Sequence, residues 1–160
     1  GRITCVRRLA GHAVEQLAPD VSVLKAPEWT AAAALPGGGF APSEFDARVS
    51  RRRTYARHLT QDTAWRLMRN YGLCAFEIVT PSAGEMGQMF GKGLSAREVD
   101  YLIEREWARS AQDILWRRSK LGLFIDDAGQ AALQTYVEDR LHASKSPVFE
   151  DRSGWQQNVA

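Results

Sequence analysis

The sequence predicts an all-α domain, a small multi-helix bundle preceded by an N-terminal helix and a connection rich in glycine and proline. Three observations support this class. Apolar residues recur at helical spacing along most of the chain, several of these stretches begin at residues that favour helix N-termini, and no two neighbouring segments alternate as paired strands do. The 160 residues, 44% of them hydrophobic and 25% charged, suffice for one domain with a hydrophobic core.

The first predicted helix covers residues 6–17, and Pro19 helps to end it. Its apolar face is formed by Val6, Leu9, Ala10, Ala13 and Leu17. Three prolines and the Gly37–Gly39 triplet then fall between Pro27 and Pro42, which predicts a flexible connection between two packed units. We therefore place a domain boundary in this segment.

Two helices are predicted after the connection. Ser43 is placed to cap the first, which carries Phe45 and Val49. The second begins at Leu59 and Thr60 and ends before Gly72, where a left-handed C-cap is wanted. Its apolar positions are Trp65, Met68 and Tyr71. Residues 73–79 fit either a short helix or a strand, since periodicity does not decide at this length, and we adopt the helix.

Four glycines and a proline predict a loop over residues 80–93, anchored by apolar side chains. The anchors are Met86, Met89 and Phe90. The clearest helix start in the chain follows, because Ser95 and Glu98 have the spacing of a capping box, in which each side chain accepts a hydrogen bond from an unpaired backbone N–H. Leu94 and Val99 fit the flanking hydrophobic staple, and the helix continues through Leu102, Ile103 and up to Trp107.

Ser110 and Asp113 repeat the capping pattern and begin a helix that ends in basic residues before Gly122. Its apolar positions are Ile114, Leu115 and Trp116, and its basic residues are Arg117, Arg118 and Lys120. Asp126 caps a last helix, and Pro147 prevents much continuation. Its inward positions are Ala128, Ala132, Leu133, Tyr136, Val137 and Leu141. Residues 146–160 are predicted to form a flexible tail.

Composition excludes several classes of function. A net charge of +2 argues against a dedicated nucleic-acid binder. Cys5 and Cys74 are too few for a disulfide framework, which indicates reduced thiols in a reducing compartment. The three histidines lack metal-ligand spacing, so we predict no metal site. No apolar run approaches the roughly 20 residues of a transmembrane helix, and no catalytic motif is present, so we predict no catalytic residues.

Two clusters allow more than one interpretation. The basic run from Arg51 to His58 is either a solvated helix face, which the near-neutral net charge favours, or a phosphate-binding face. The helix after Ser110 is either purely structural, with an Asp113–Arg117 bridge, or it faces a partner domain, since Trp and Arg are favoured at interfaces. The interface candidates are Trp107, Asp113, Trp116, Arg117 and Arg118.

The stretch EREWARSAQDILWRRSKLGL, residues 104–123, resembles the characteristic helical segment of aerobic, FAD-dependent glycerol-3-phosphate dehydrogenases. It is similar to the pattern E-x-A-x-x-x-x-D-x-L-x-R-R-T-x-L-G-L, with Ser119 in place of the usual Thr. The opening GRIT is similar to the G-K-[IL]-T that begins the segment closing the flavin-binding domain, with Arg2 for Lys and Cys5 for the following Thr. The turn at Leu35–Gly38 and the stretch Arg69–Gly72 also resemble family features.

This resemblance implies a C-terminal accessory domain that caps an upstream FAD-binding domain. The whole enzyme is then expected to oxidise sn-glycerol 3-phosphate to dihydroxyacetone phosphate, to pass electrons through FAD to quinone, and to lie in the cytoplasm, peripheral to the inner membrane. Gly1, Arg2, Ile3 and Thr4 are expected beside the cofactor there. The chain alone, which has no G-x-G-x-x-G fingerprint, is expected to hold no FAD and to lack catalysis.

The resemblance also assigns the domain boundaries. Residues 1–26 become a helical remnant of the flavin-binding domain, 27–42 a linker, 43–145 the helical C-terminal domain and 146–160 the tail. The alternative, from the residues alone, is a non-enzymatic helical interaction module whose basic helices bind an acidic protein or a nucleic acid.

Overall fold

The computed structural model describes residues 2–21 and 29–143, with the backbone alone for residues 2–4. The chain divides into two compact units, Gly1–Leu35 and Pro36–Ala160, at a point inside the predicted connection. The predicted predominantly helical class is confirmed. The predicted tail lies outside the described residues.

The first unit contains helix α1, Arg2–Leu17, which ends before Pro19 as predicted. The Ala18 N–H donates to the Val14 carbonyl at 2.9 Å and closes the last turn. The apolar side chains that the sequence assigns to one face are exposed, Leu9 by 70%. The helical period therefore identified the helix, but its apolar face is not buried within the first unit.

The second unit holds the remaining elements. They are a 3-10 turn at Pro42–Glu44, α2 (Phe45–Tyr55), α3 (Gln61–Tyr71), a 3-10 turn at Gly72–Cys74, α4 (Ala75–Ile78), a 3-10 turn at Ala83–Met86, β1 (Met89–Gly91), β2 (Leu94–Ser95), α5 (Ala96–Glu106), a π-helix at Asp113–Arg118, a 3-10 turn at Leu121–Leu123 and α6 (Asp127–His142). Residues 73–78 are thus helical, Val79 is extended, and the strand alternative is wrong.

Most of the predicted helix starts are confirmed. The Thr60 and Ser95 side chains accept from backbone N–H groups at the starts of α3 and α5, and Asp126 does so at α6. Ser43 does not cap α2. Instead the Glu44 carboxylate accepts from the Ala41 N–H at 2.8 Å, one turn earlier, where a proline begins a 3-10 turn.

The predicted loop at residues 80–93 contains a small antiparallel hairpin instead. Met89 pairs with Ser95 and Gly91 with Leu94. Gly91, Lys92 and Gly93 have φ of 110°, 49° and 74°, so the turn needs its two glycines. Phe90 and Met86 are buried as predicted, whereas Met89 is exposed, because the side chains of neighbouring strand residues point to opposite faces.

One hydrophobic core joins α2, α3, α5, the π-helix and α6. Its fully buried members include Val49, Leu67, Met68, Ile78, Leu102, Ile114, Leu133 and Val137. Of the inward positions predicted on α6, Ala128 is exposed, in the first turn. Helix α5 and the π-helix both pack into this core, one before and one after the segment of residues 107–112.

Two glycines bring the end of the predicted linker onto α3. Gly37 and Gly72 have φ of 77° and 54°, and the Leu73 N–H donates to the Gly37 carbonyl at 2.9 Å. A Cβ on Gly72 would lie 2.1 Å from the Gly37 oxygen, and one on Gly37 would lie 2.2 Å from the Tyr71 oxygen. Gly37 is therefore packed against Gly72, and the two short segments that resemble family features, 35–38 and 69–72, meet at this contact.

Buried charges complete the packing of α3 against α5. The Glu98 carboxylate binds the Arg66 guanidinium through two contacts of 2.6 and 2.8 Å and accepts from the Tyr71 hydroxyl at 2.8 Å. The predicted capping box is thus half wrong. Ser95 caps the helix, but Glu98 is committed to a partner 32 residues away.

Candidate interaction surface

Helix α5 ends at an exposed tryptophan in a left-handed conformation. Trp107 has φ 58° and ψ 30°, in the position where glycine is most common. The Ala108 N–H donates to the Leu102 carbonyl at 3.0 Å and closes the helix end. The indole is 78% exposed. Because a bulky side chain rarely adopts positive φ, this residue is strained as well as exposed.

The next turn is fixed by a local cap that the sequence predicts. Asp113 accepts hydrogen bonds at 3.0 Å from both the Arg109 N–H and the Ser110 hydroxyl. Its own N–H donates to the Ser110 oxygen at 3.1 Å, and its second carboxylate oxygen pairs with Arg117. These contacts, led by the Arg109 N–H, hold the pKa of Asp113 below its usual value.

The predicted helix after Ser110 is present, and it is a π-helix over Asp113–Arg118. The Ser119 N–H donates to the Ile114 carbonyl, five residues back, at 3.0 Å, and the Ser119 hydroxyl donates to the same oxygen at 2.7 Å. The Ser119 oxygen also accepts from the Leu121 N–H at 3.2 Å. The hydroxyl at this position therefore terminates the wide turn. π-Helical turns are rare and are often found at functional sites.

The indole of Trp116 lies flat against Gly122. A Cβ on Gly122 would come within 2.6 Å of the ring, so no other residue fits without moving it. Lys120, with φ 60°, bonds through its ammonium to the Trp116 carbonyl. Trp116 is nevertheless 40% exposed.

Arg118 connects the two ends of this segment. Its guanidinium donates to the carbonyl of Glu106 at 2.6 Å, directly before Trp107. The half-buried Glu106 carboxyl has a raised pKa because burial disfavours its charged form, against the attraction of Arg118. The π-helix thereby holds the residue that precedes the strained tryptophan.

Four exposed apolar side chains lie along residues 107–124, and we call them together the tryptophan surface. They are Trp107, Trp116, Leu123 and Phe124, the last two 68% and 62% exposed. Exposed cations of the same segment accompany them, namely Arg109, Arg117, Arg118 and Lys120. Large exposed apolar groups beside arginines are typical of a surface that binds another protein or domain.

The predicted interface residues divide into two groups. Trp107 and Trp116 lie on the tryptophan surface, whereas Asp113, Arg117 and Arg118 bond within the segment and build it. Leu123 and Phe124 were not predicted as interface residues, because two apolar residues directly after a helix are usually assigned to the hydrophobic core. Gly1 lies outside the described residues, and Arg2, Ile3 and Thr4 are described only as backbone of α1.

The other predicted clusters do not assemble a chemical site in the described residues. Within the basic run, Arg52 is fully buried, 4.0 Å from the centre of the Phe76 ring, and burial lowers its pKa to about 10. The solvated-face interpretation is therefore wrong for this residue. Burial also raises the pKa of the Cys74 thiol, which opposes its use as a nucleophile. Residues 2–21 and 29–143 contain no group of three side chains suited to a metal.

The fold defines a class: a predominantly helical domain with a hydrophobic core of its own and large apolar side chains exposed along residues 107–124. The sequence matches, over residues 29–142, the family described as the C-terminal domain of alpha-glycerophosphate oxidase. The chain belongs to this family. The predicted resemblance is confirmed.

Curated relatives agree with this assignment. A glycerol-3-phosphate dehydrogenase of Pseudomonas aeruginosa is 41% identical over 152 residues, which is 90% of this chain and 29% of the relative. The aerobic glycerol-3-phosphate dehydrogenase of Escherichia coli K12 is 35% identical over 148 residues, 88% of this chain and 29% of the relative. A D-erythritol 1-phosphate dehydrogenase of Brucella abortus is 30% identical over 144 residues, 87% of this chain and 28% of the relative.

The chain spans less than a third of the length of these relatives. The alternative of a nucleic-acid or acidic-protein binding module receives no support from them. Among the described helices, none has the length and apolar character that crossing a bilayer requires.

Proposed function

We propose that this chain serves as the C-terminal cap domain of an FAD-dependent glycerol-3-phosphate dehydrogenase. In the proposal the whole enzyme oxidises sn-glycerol 3-phosphate to dihydroxyacetone phosphate, and hydride passes to FAD and electrons to quinone. One observation carries it: dehydrogenases of this name match about nine-tenths of this chain but under a third of their own length. In this proposal the catalytic groups and FAD belong to the upstream portion.

Helix α1 is proposed to pack onto the upstream portion. Val6, Leu9 and Leu17 expose their side chains, and burying each of them fully against another body is worth about 1.5–3 kcal/mol. This supports the view that residues 1–26 are the end of the flavin-binding domain. Gly1–Thr4 would then lie beside flavin and substrate, with the cation of Arg2 near the phosphate.

The tryptophan surface is proposed as the second contact with the upstream portion. Trp and Arg are the side chains most often found at the energetic centres of interfaces. Asp113, Arg117 and Arg118 contribute by holding Trp107 and Trp116 in place. The domain therefore acts through structure, as a cap over the flavin-binding portion.

The whole enzyme is proposed to lie in the cytoplasm, peripheral to the inner membrane. Quinone dissolves in the bilayer, so an enzyme that reduces it must reach the membrane surface.

The test compares this chain alone with a joined protein, in which the part of the Pseudomonas aeruginosa relative upstream of the matched region precedes this chain. The joined protein is expected to bind FAD and to reduce a water-soluble quinone when sn-glycerol 3-phosphate is added. The chain alone is expected to do neither. D-Erythritol 1-phosphate serves as the comparison substrate, since one relative is named for it. Stoichiometric FAD binding by the chain alone would contradict the proposal.

A further inference from the structure

We infer that Trp107 is the anchor side chain through which the tryptophan surface docks onto the upstream portion. This inference rests on the proposed function and adds the central contact to it. The partner it predicts is an apolar recess with an acidic rim, on the flavin-binding portion of the same polypeptide.

The first argument is that Trp107 has no internal reason to be a tryptophan. Its indole is 78% exposed, so it adds little to the core. Its φ of 58° disfavours every residue with a side chain and suits glycine. In the isolated domain, glycine at this position would therefore expose less apolar surface to water and would relieve the backbone strain. A tryptophan that is costly in the chain alone is explained by a contact outside it.

The second argument is that the indole is presented from a rigid support. Ala108, directly after it, is fully buried, and its N–H holds the Leu102 carbonyl at 3.0 Å. On the other side, Arg118 holds the Glu106 carbonyl at 2.6 Å. Little backbone ordering remains to be lost when a partner binds, and such pre-organisation favours an anchor residue.

Charge identifies the partner. Arg109, Arg118 and Lys120 are exposed in the same segment, while the charges of Arg117 and Asp113 offset each other in their ion pair. A two-fold pair of this chain would bring the basic surface against itself, which disfavours a second copy as occupant. An upstream segment of the same polypeptide is held at millimolar effective concentration by its covalent link. An acid-rimmed recess on that segment meets both the apolar and the basic groups.

The experiment places Trp107→Gly in two contexts, the chain alone and the joined protein. In the chain alone, relief of the strained backbone is expected to raise Tm by about 2–4 °C. In the joined protein, loss of the anchor is expected to lower Tm and to speed protease cleavage between the two portions. The matched control is Trp107→Phe, which keeps an aromatic side chain and the same backbone cost. Trp107→Phe is expected to lower the Tm of the joined protein, and to speed its cleavage, less than Trp107→Gly does.

The sign of the change in Tm caused by Trp107→Gly in the joined protein decides between these outcomes. An equal rise in Tm in both contexts overturns the inference, since Trp107 would then contact nothing upstream. A concentration-dependent Tm of the chain alone that disappears in Trp107→Gly would identify a second copy as the occupant and would also overturn it. The proposed function is judged separately, on the unsubstituted joined protein. If that protein binds no FAD, the proposed function fails and this inference fails with it.

Discussion

The two units of the chain contain helices with similar apolar periodicity in opposite surroundings. In the second unit, Leu67 on α3 and Leu102 on α5 are fully buried in one core. In the first unit, Leu9 and Leu17 on α1 are exposed. The periodicity of a sequence therefore predicts a helix and its apolar face, but it does not say which body covers that face. For α1, that body is proposed to be the upstream portion.

The largest effects are expected from leucine truncation in the two units. Leu102→Ala leaves a cavity in a closed core and is expected to lower the free energy of unfolding of this chain by about 3–5 kcal/mol. Leu9→Ala removes an exposed side chain and is expected to change it by less than about 0.5 kcal/mol. Chemical denaturation of both variants measures the difference.

The same pair sharpens the comparison in the joined protein. There Leu9→Ala is expected to become destabilising, because the upstream portion is proposed to cover α1. A Leu9→Ala effect as large as that of Leu102→Ala in the chain alone would break the comparison, since it would require a partner for α1 within this chain.

The next effect concerns charges. Arg66→Met leaves the buried Glu98 carboxylate without its cation and is expected to destabilise the chain by about 3 kcal/mol. The control is Glu15→Gln in α1, whose contact with His12 spans 3.7 Å between largely exposed side chains. It is expected to change stability by less than about 0.5 kcal/mol in urea unfolding. Similar losses in both variants would contradict the assignment of the buried cluster to the core.

Glycine substitutions are expected to have opposite signs in the two units. Gly72→Ala places a Cβ 2.1 Å from the Gly37 oxygen at a positive φ and is expected to destabilise the chain by about 2 kcal/mol or more. Gly11→Ala, inside α1, is expected to stabilise that helix by up to about 1 kcal/mol, since alanine favours helix interiors. Thermal unfolding and helicity from circular dichroism measure the two effects. A tolerated Gly72→Ala would show that the Gly37–Gly72 contact is not tight.

The features that the sequence predicted depend on interactions between residues close together in the chain, whereas the features that it did not predict depend mostly on residues far apart. Ser95 and Asp126 were identified as caps, and Thr60 as a helix start, because a cap depends on residues three positions away. The role of Glu98 was missed, since its partner Arg66 lies 32 residues earlier and capping chemistry uses the same residue type. The hairpin was not predicted, because strands of three and two residues are too short to show an alternation of apolar and polar residues. The two glycines of Gly91-Lys92-Gly93 did indicate its turn.

The candidate surface follows the same rule. Trp107 and Trp116 were predicted as interface residues from residue type alone, and the structure places both at the surface. The π-helix was not predictable, because an α-helix and a π-helix share the cap at Ser110 and Asp113. The wide turn depends on Ser119 bonding the Ile114 carbonyl and on Gly122 admitting the Trp116 ring. Both are contacts that only the folded chain reveals.

The smallest effect concerns Asp113, which builds the surface without belonging to the core. Hydrogen bonds, first that of the Arg109 N–H, lower its pKa in the folded state. The carboxylate therefore stabilises the fold at pH values above its unfolded pKa, and this contribution is lost as the pH falls through the lower, folded value.

The variant Asp113→Asn is expected to be about 1 kcal/mol less stable than the unsubstituted chain at pH 7, and this difference in stability is expected to narrow below about pH 4. The control is Asp62→Asn, an exposed first-turn residue of α3, which is expected to change stability less at pH 7. Urea unfolding of the three proteins at pH 7, 5 and 3.5 measures these differences. If Asp113→Asn lowered the free energy of unfolding equally at all three pH values, the carboxylate charge would not fix the start of the π-helix.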